Sequence, residues 1–417
     1  MKRFIHFLFL PLVFAALSLP VHAAQEGVSV AVQDGYVSDY GVNIPFTRSP
    51  RTGSYTFSLY PGGAAAGSPE VTAAVEITSA APVNVYLPLR HDPAGPSTWT
   101  LAVTAHVASG REALDREATA AKTFTTAPTC SCPAGTAGAY YVGDGSAQHP
   151  FLVGAREQLV HMEKHLAASL LQVADIDCGG TLPTISCFTG SYDGGWHKIS
   201  GLDKPLFWTL RQATVQRLGI EDSTAIFPTL SDHIGILAGS VHDGTIRDCY
   251  SLNCSLKGYN TGGLIGGFFG EASRIERCYA LGARVDSHSS PAGLVGRADE
   301  ARFQMSHCYA IPAYLSTESA GYPSGALFGS SAYDGHTTSI AQSYWCTSVV
   351  SNGAGGAYLN ARVSIDSYSK GLPLAGFSTL GNLTGFDDSD WVVRSMTFDS
   401  PGGSVTAEVP VLRGFYE

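Results

Sequence analysis

His161, Glu163 and His165 in the segment HMEKH come closest to a catalytic motif in this chain. A zinc peptidase helix reads H-E-x-x-H: histidines one turn apart bind the metal, and the glutamate beside the first activates water. Here the one-turn histidine spacing is kept, but Glu163 lies two residues beyond His161, roughly opposite around a helix, and no third ligand is evident. The segment therefore reads as the polar face of an amphipathic cap helix. Cys130 and Cys132, in C-S-C, are poor zinc ligands by the same standard, because zinc sites usually space their ligands by two or more residues and need a second pair. The expectation is no metal and no cofactor.

Other chemistries lack their signatures. There is no G-x-S-x-G nucleophile elbow and no D-x-D-x-D-G calcium loop. Asp175 and Asp177 in ADID read as turn-closing residues whose carboxylates bond nearby amides. Glycoside cleavage needs paired carboxylates on one face, yet Asp243, Glu271, Asp299 and Asp334 fall at differing offsets in successive repeats. No catalytic residue is assigned. Among the nine cysteines, an odd number, Cys178 and Cys187 flank a Gly-Pro loop and form the expected disulfide.

The elements that would position such residues are set by a repeat. Four apolar runs ending in glycine, GILAG, GGLIG, AGLVG and GALFG, are each followed by a strand: TIRDCYS, RIERCYA, FQMSHCYA and SIAQSYW. A period of roughly thirty residues implies units that bury their apolar faces only by stacking. Aligned on the glycines, Leu206, Leu237, Leu264, Leu294 and Leu327 form one column. Val215, Ile246, Ile275, Met305 and Ile340 form a second, and Leu218, Cys249, Cys278, Cys308 and Ser343 a third. Ladders that stay apolar from coil to coil predict a right-handed parallel β-helix. Its cysteines are interior packing residues, and Asp248, Arg277 and His307 lie at corners. Tyr250, Tyr279, Tyr309 and Tyr344 directly follow the third column, so alternation sends them outward. They are the expected ligand-binding residues, a flat aromatic stripe for a sugar or a protein.

The first 24 residues read as a secretory signal peptide, with Lys2 and Arg3, an apolar run and a small-residue end near Ala23. Residues 25–127 read as short alternating strands of an immunoglobulin- or fibronectin-like sandwich, and 128–139 as a linker. Residues 140–204 hold the cap helix, Ala155 to Leu170, and the first coil. The repeats fill 205–350 and a C-terminal cap 351–417. A formal charge of −10 excludes the basic footprint that nucleic acid requires. No second long apolar stretch predicts a transmembrane span, and the oligomeric state is left open.

With GGLIG and AGLVG as intact G-L-x-G cores, the region from Tyr140 to Glu417 resembles the GLUG-repeat family of exported proteins in gut Bacteroidetes. GDGSAQHPFLV, FTGSYDGGWHKISGL and the terminal EVPVLRGF add to the likeness. The resemblance implies an adhesin-like role at the cell surface, in the periplasm or in the medium, and carries over no catalytic residues. The expectation is thus an exported, non-catalytic protein binding a glycan or a surface protein. The alternatives are a carbohydrate-active β-helix enzyme, either a lyase or a hydrolase, and a structural spacer.

Overall fold

The computed structural model describes residues 36–416, except 39–40, 48–52, 79–82, 89–97, 108–115, 126–128, 134–135, 141–142, 228–232, 319–323, 333–334 and 359–360. The expected signal peptide and the strand VSVAVQD lie outside these residues. The described residues are all-β, with a large parallel sheet and one short α-helix.

The N-terminal strands form two antiparallel sheets. Strands Tyr36–Ser38, Gly41–Phe46 and Val83–Pro88 make one, and Ser54–Pro61, Val71–Glu76, Thr98–Val107 and Arg116–Thr125 the other. Alternation does what the sequence predicts: Tyr55, Phe57 and Leu59 are fully buried while the residues between them are half-exposed. Ile44, Phe46, Val85 and Leu87 meet this face in a single core, with Phe46 edge-on to Tyr55 at 4.8 Å.

Residues 145–416 form a separate body, a stack of parallel coils. Strands Phe207–Arg211, Ala238–His242, Ile265–Glu276, Val295–Ser306, Phe328–Ala332 and Ala354–Tyr358 pair in parallel, coil upon coil. The second apolar column is in exact register: Val215, Ile246, Ile275, Met305 and Ile340 are ladder partners. The leucine column is fully buried throughout. Corners fall where expected, since Arg217, Asp248, Arg277, His307 and Gln342 all adopt positive φ between 46° and 55°. Left-handed backbone turns the chain between two strands that each keep their pairing. The stack also continues past 350, because Ala354–Tyr358, Arg362–Ile365 and Lys370–Leu372 add another coil.

The glycines of the repeat have a steric reason. A Cβ on Gly263 would stand 2.1 Å from the Gly293 carbonyl oxygen, and one on Gly293 would stand 2.2 Å from that of Ala326. Each glycine lets one coil's backbone settle onto the next.

The cap helix is shorter than its apolar spacing predicts. Arg156–His161 is helical and Met162–Lys164 continues as a 3-10 turn, but Leu170 belongs to strand Ser169–Gln172, paired with 191–193. Extending the helix would forfeit that first ladder. Arg156 donates to the carbonyls of Cys178 (3.1 Å) and Thr181 (2.8 Å), which fixes the helix against the first coil.

Candidate functional site

The four tyrosines do stack in register, with Tyr250–Tyr279 at 4.9 Å and 4° and Tyr279–Tyr309 at 5.1 Å and 10°. They are not an exposed stripe. All four are 0–2% exposed, beneath the antiparallel hairpin of Trp391–Ser400 and Gly403–Leu412. Trp391, Phe377, Phe386, Phe398 and Phe415 complete a second core around them. Alternation correctly turned the rings away from the column of Cys249, Cys278 and Cys308, but the C-terminal segment lies along this side of the stack and covers them. The Tyr309 hydroxyl donates to the Pro410 carbonyl, and that of Tyr344 to Thr384 O at 3.1 Å. Burial pushes the phenols of Tyr250, Tyr279 and Tyr309 well above their usual range.

The expected disulfide is also absent: Cys178 and Cys187 are both free thiols. The reason is that they occupy successive sides of one coil. Cys178 follows the strand laid on Ile199 and Ser200, whereas Cys187 sits in the strand laid on Thr209. Cys178 is buried, which pushes its thiol up to about 12, and Cys187 is half-buried. The column cysteines are interior, as expected. Cys278 Sγ accepts the Cys249 N–H at 3.4 Å, and Ser343 Oγ accepts the Cys308 N–H at 3.1 Å, so a small polar atom serves the coil before it.

Several of the described carboxylates are tied into the scaffold. Asp248 pairs with Arg277 at 2.6 and 3.1 Å, and Glu221 accepts from Lys198 and from the Tyr250 hydroxyl, each at 2.6 Å. Asp193 takes Gln216 and Arg217, and Lys257 bridges Asp286 and Glu318. Asp243 accepts the Glu271 and Ala272 N–H groups, which hold its carboxyl below the usual range. Among the described residues, every carboxyl with a resolved shift is lowered; a general acid for glycoside cleavage needs the opposite. Asp175 meets the His197 ring at 3.1 Å, and Asp177 caps the Gly179 N–H at 3.0 Å, the latter as a turn-closing residue should.

A different surface gathers groups that could hold a ligand. Arg211, His242, Phe269 and Asp299 are ladder neighbours on one side of four successive coils, beside the column Thr209, Ser240, Gly267 and Arg297. Gly267 leaves a dip over which the Phe269 ring folds, since a Cβ there would stand 2.8 Å from Phe269 Cε2. His233 and His242 flank that ring at 4.8 and 5.4 Å. Asn260 Nδ2 lies 3.2 Å from His233 Nδ1, Tyr259 approaches the same histidine, and Arg297 pairs with Asp299. His233, His242, Tyr259 and Phe269 are half-buried. Burial, with Arg211 nearby, lowers the His242 pKa. The sequence reading passed over this face because its residues recur as His, Phe and Asp rather than one type; the register alone brings them together.

No protein-family model matches the chain, and no curated protein matches it. Three chains of solved structure match. One, described as IgA1 Protease, is 14% identical, with a TM-score of 0.40, over 83% of this chain and 27% of that one. The chain thus spans little more than a quarter of that protein's length.

Proposed function

We propose that this chain is an exported, non-catalytic glycan-binding protein, built as an immunoglobulin-like sandwich and a right-handed parallel β-helix of the GLUG-repeat kind. The observation that carries the reading is the half-buried Phe269 ring between two imidazoles, beside the Arg297–Asp299 pair. An apolar ring presents a face to the C–H groups of a sugar, while neighbouring imidazole, amide and guanidinium groups hydrogen-bond its hydroxyls. Such a face on a rigid ladder needs little ordering on binding, which favours affinity.

The test is a glycan array with the full chain and Phe269→Ala, followed by a search for released product on each glycan bound. Saturable binding that the variant loses, with no product, supports the reading. Binding unchanged in Phe269→Ala contradicts the site, and product release contradicts the non-catalytic role.

A further inference from the structure

The face around Phe269 is a track along the stack, and its length has a chemical meaning. Arg211, His242, Phe269 and Asp299 are ladder neighbours in one column, and Thr209, Ser240, Gly267 and Arg297 form the column beside it. Parallel rungs lie about 4.8 Å apart, so the first and last members of each column are separated by roughly 14 Å. A six-membered sugar in an extended, equatorially linked chain advances that chain by close to one rung. Resting on the glycan-binding reading above, we infer that the ligand is a linear oligosaccharide laid along the stack axis, with one sugar over each of these four coils.

The register sets that number. On one side, the pairing of Ile185–Phe188 with Phe207–Arg211 stops at Phe188 and Leu210, so among the described residues Arg211 has no ladder neighbour there. On the other, the pairing with Phe328–Ala332 stops at Arg297 and Ser330. Ser330 is fully buried, with its hydroxyl 2.6 Å from that of Ser290. The polar track has closed by that coil.

Each coil offers its sugar a different contact. Arg211 is exposed and Thr209 half-buried, which places a guanidinium and a hydroxyl against the first unit. The second coil offers the His242 imidazole and the Ser240 hydroxyl, both half-buried. At the third, Gly267 lowers the floor: a Cβ there would stand 2.8 Å from the Phe269 ring and 3.5 Å from His233 Nδ1. The bare backbone makes room for the aromatic face on which a sugar stacks. The fourth coil ends on the Arg297–Asp299 ion pair, both side chains largely buried, which fixes polar groups for the last unit.

The flank selects a linear chain over a branched one. Strands His233–Ile234 and Asn260–Gly262 pair in parallel beside the track and form a wall. His233 lies 4.8 Å from the Phe269 ring, and Asn260 is fully buried with Nδ2 3.2 Å from His233 Nδ1. A branch directed at that flank meets the wall, whereas a chain running along the axis does not.

The experiment is titration calorimetry of the full chain with β-1,4-linked fragments of glucan, mannan, xylan and mannuronan, graded in length from two to six sugars, repeated with Phe269→Ala and Arg211→Ala. Affinity for the family that binds should rise with each sugar up to four and then level off. Arg211→Ala should weaken the four-sugar fragment about tenfold, the loss of a hydrogen bond to a charged group, and should bring the plateau at three. Because Arg211 is exposed, its removal tests the contact without opening the core. Equal affinity at every length, a plateau unmoved in Arg211→Ala, or no binding by any of these linear families would each overturn the inference. The glycan-binding reading fails separately, when binding is indifferent to Phe269→Ala.

Discussion

Tyr279 and Tyr309 are equivalent residues one coil apart, yet their hydroxyls meet different surroundings. That of Tyr309 donates to the Pro410 carbonyl, whereas that of Tyr279 is buried without a partner among the described residues. An unsatisfied buried hydroxyl costs free energy that a phenylalanine does not. Tyr279→Phe should therefore be neutral or stabilising in denaturant unfolding, and Tyr309→Phe should cost about 1 kcal/mol. Tyr279→Ala should cost about 3–5 kcal/mol by opening a cavity in the second core. Equal losses in the two Phe variants would contradict the assignment. Asp243 gives a pH-dependent case. Because amide donors lower its folded pKa, its contribution is present above the ordinary carboxylate range and is lost as pH falls through the folded value. The destabilisation caused by Asp243→Ala should thus shrink on acidification below that range; a gap that stays constant to low pH would contradict it. Interior residues such as Cys249 and Ile275 were legible because a ladder demands the same kind of side chain in each coil. The tyrosines' exposure was not, since burial depends on a hairpin more than a hundred residues away in sequence from Tyr279.

Glycine is the residue that fixes the coil as an element. Gly293→Ala places its methyl against the Ala326 carbonyl and should cost about 1–3 kcal/mol or more, the range for overpacking. Gly402, with nothing within 4 Å of an added Cβ, should tolerate alanine. Thermal unfolding of the two variants side by side checks this, and equal melting points would remove the steric account of the repeat. The apolar period exposed the coils and their corners, including Asp248 and Arg277, because corner and strand recur in fixed order. It overestimated the cap helix, because the spacing of Leu159, Met162, Leu166 and Leu170 suits a helix while the pairing of 169–171 with 191–193 requires a strand. Local preference yielded to the ladder.

Within the stack of coils, the tyrosine side is used up in holding the C-terminal hairpin, and another side carries the half-buried Phe269 with its histidines. The parallel architecture was readable from the repeat. The proposed ligand face was not, because it is assembled from residues of different types placed side by side by the register of successive coils. Hydrogen exchange of the full chain with and without a bound oligosaccharide tests the central claim most directly. The account predicts new protection confined to segments around 233–242, 259–269 and 295–299, with the tyrosine ladder and its covering hairpin unchanged. Protection at the hairpin, or on the N-terminal sheets alone, would contradict it.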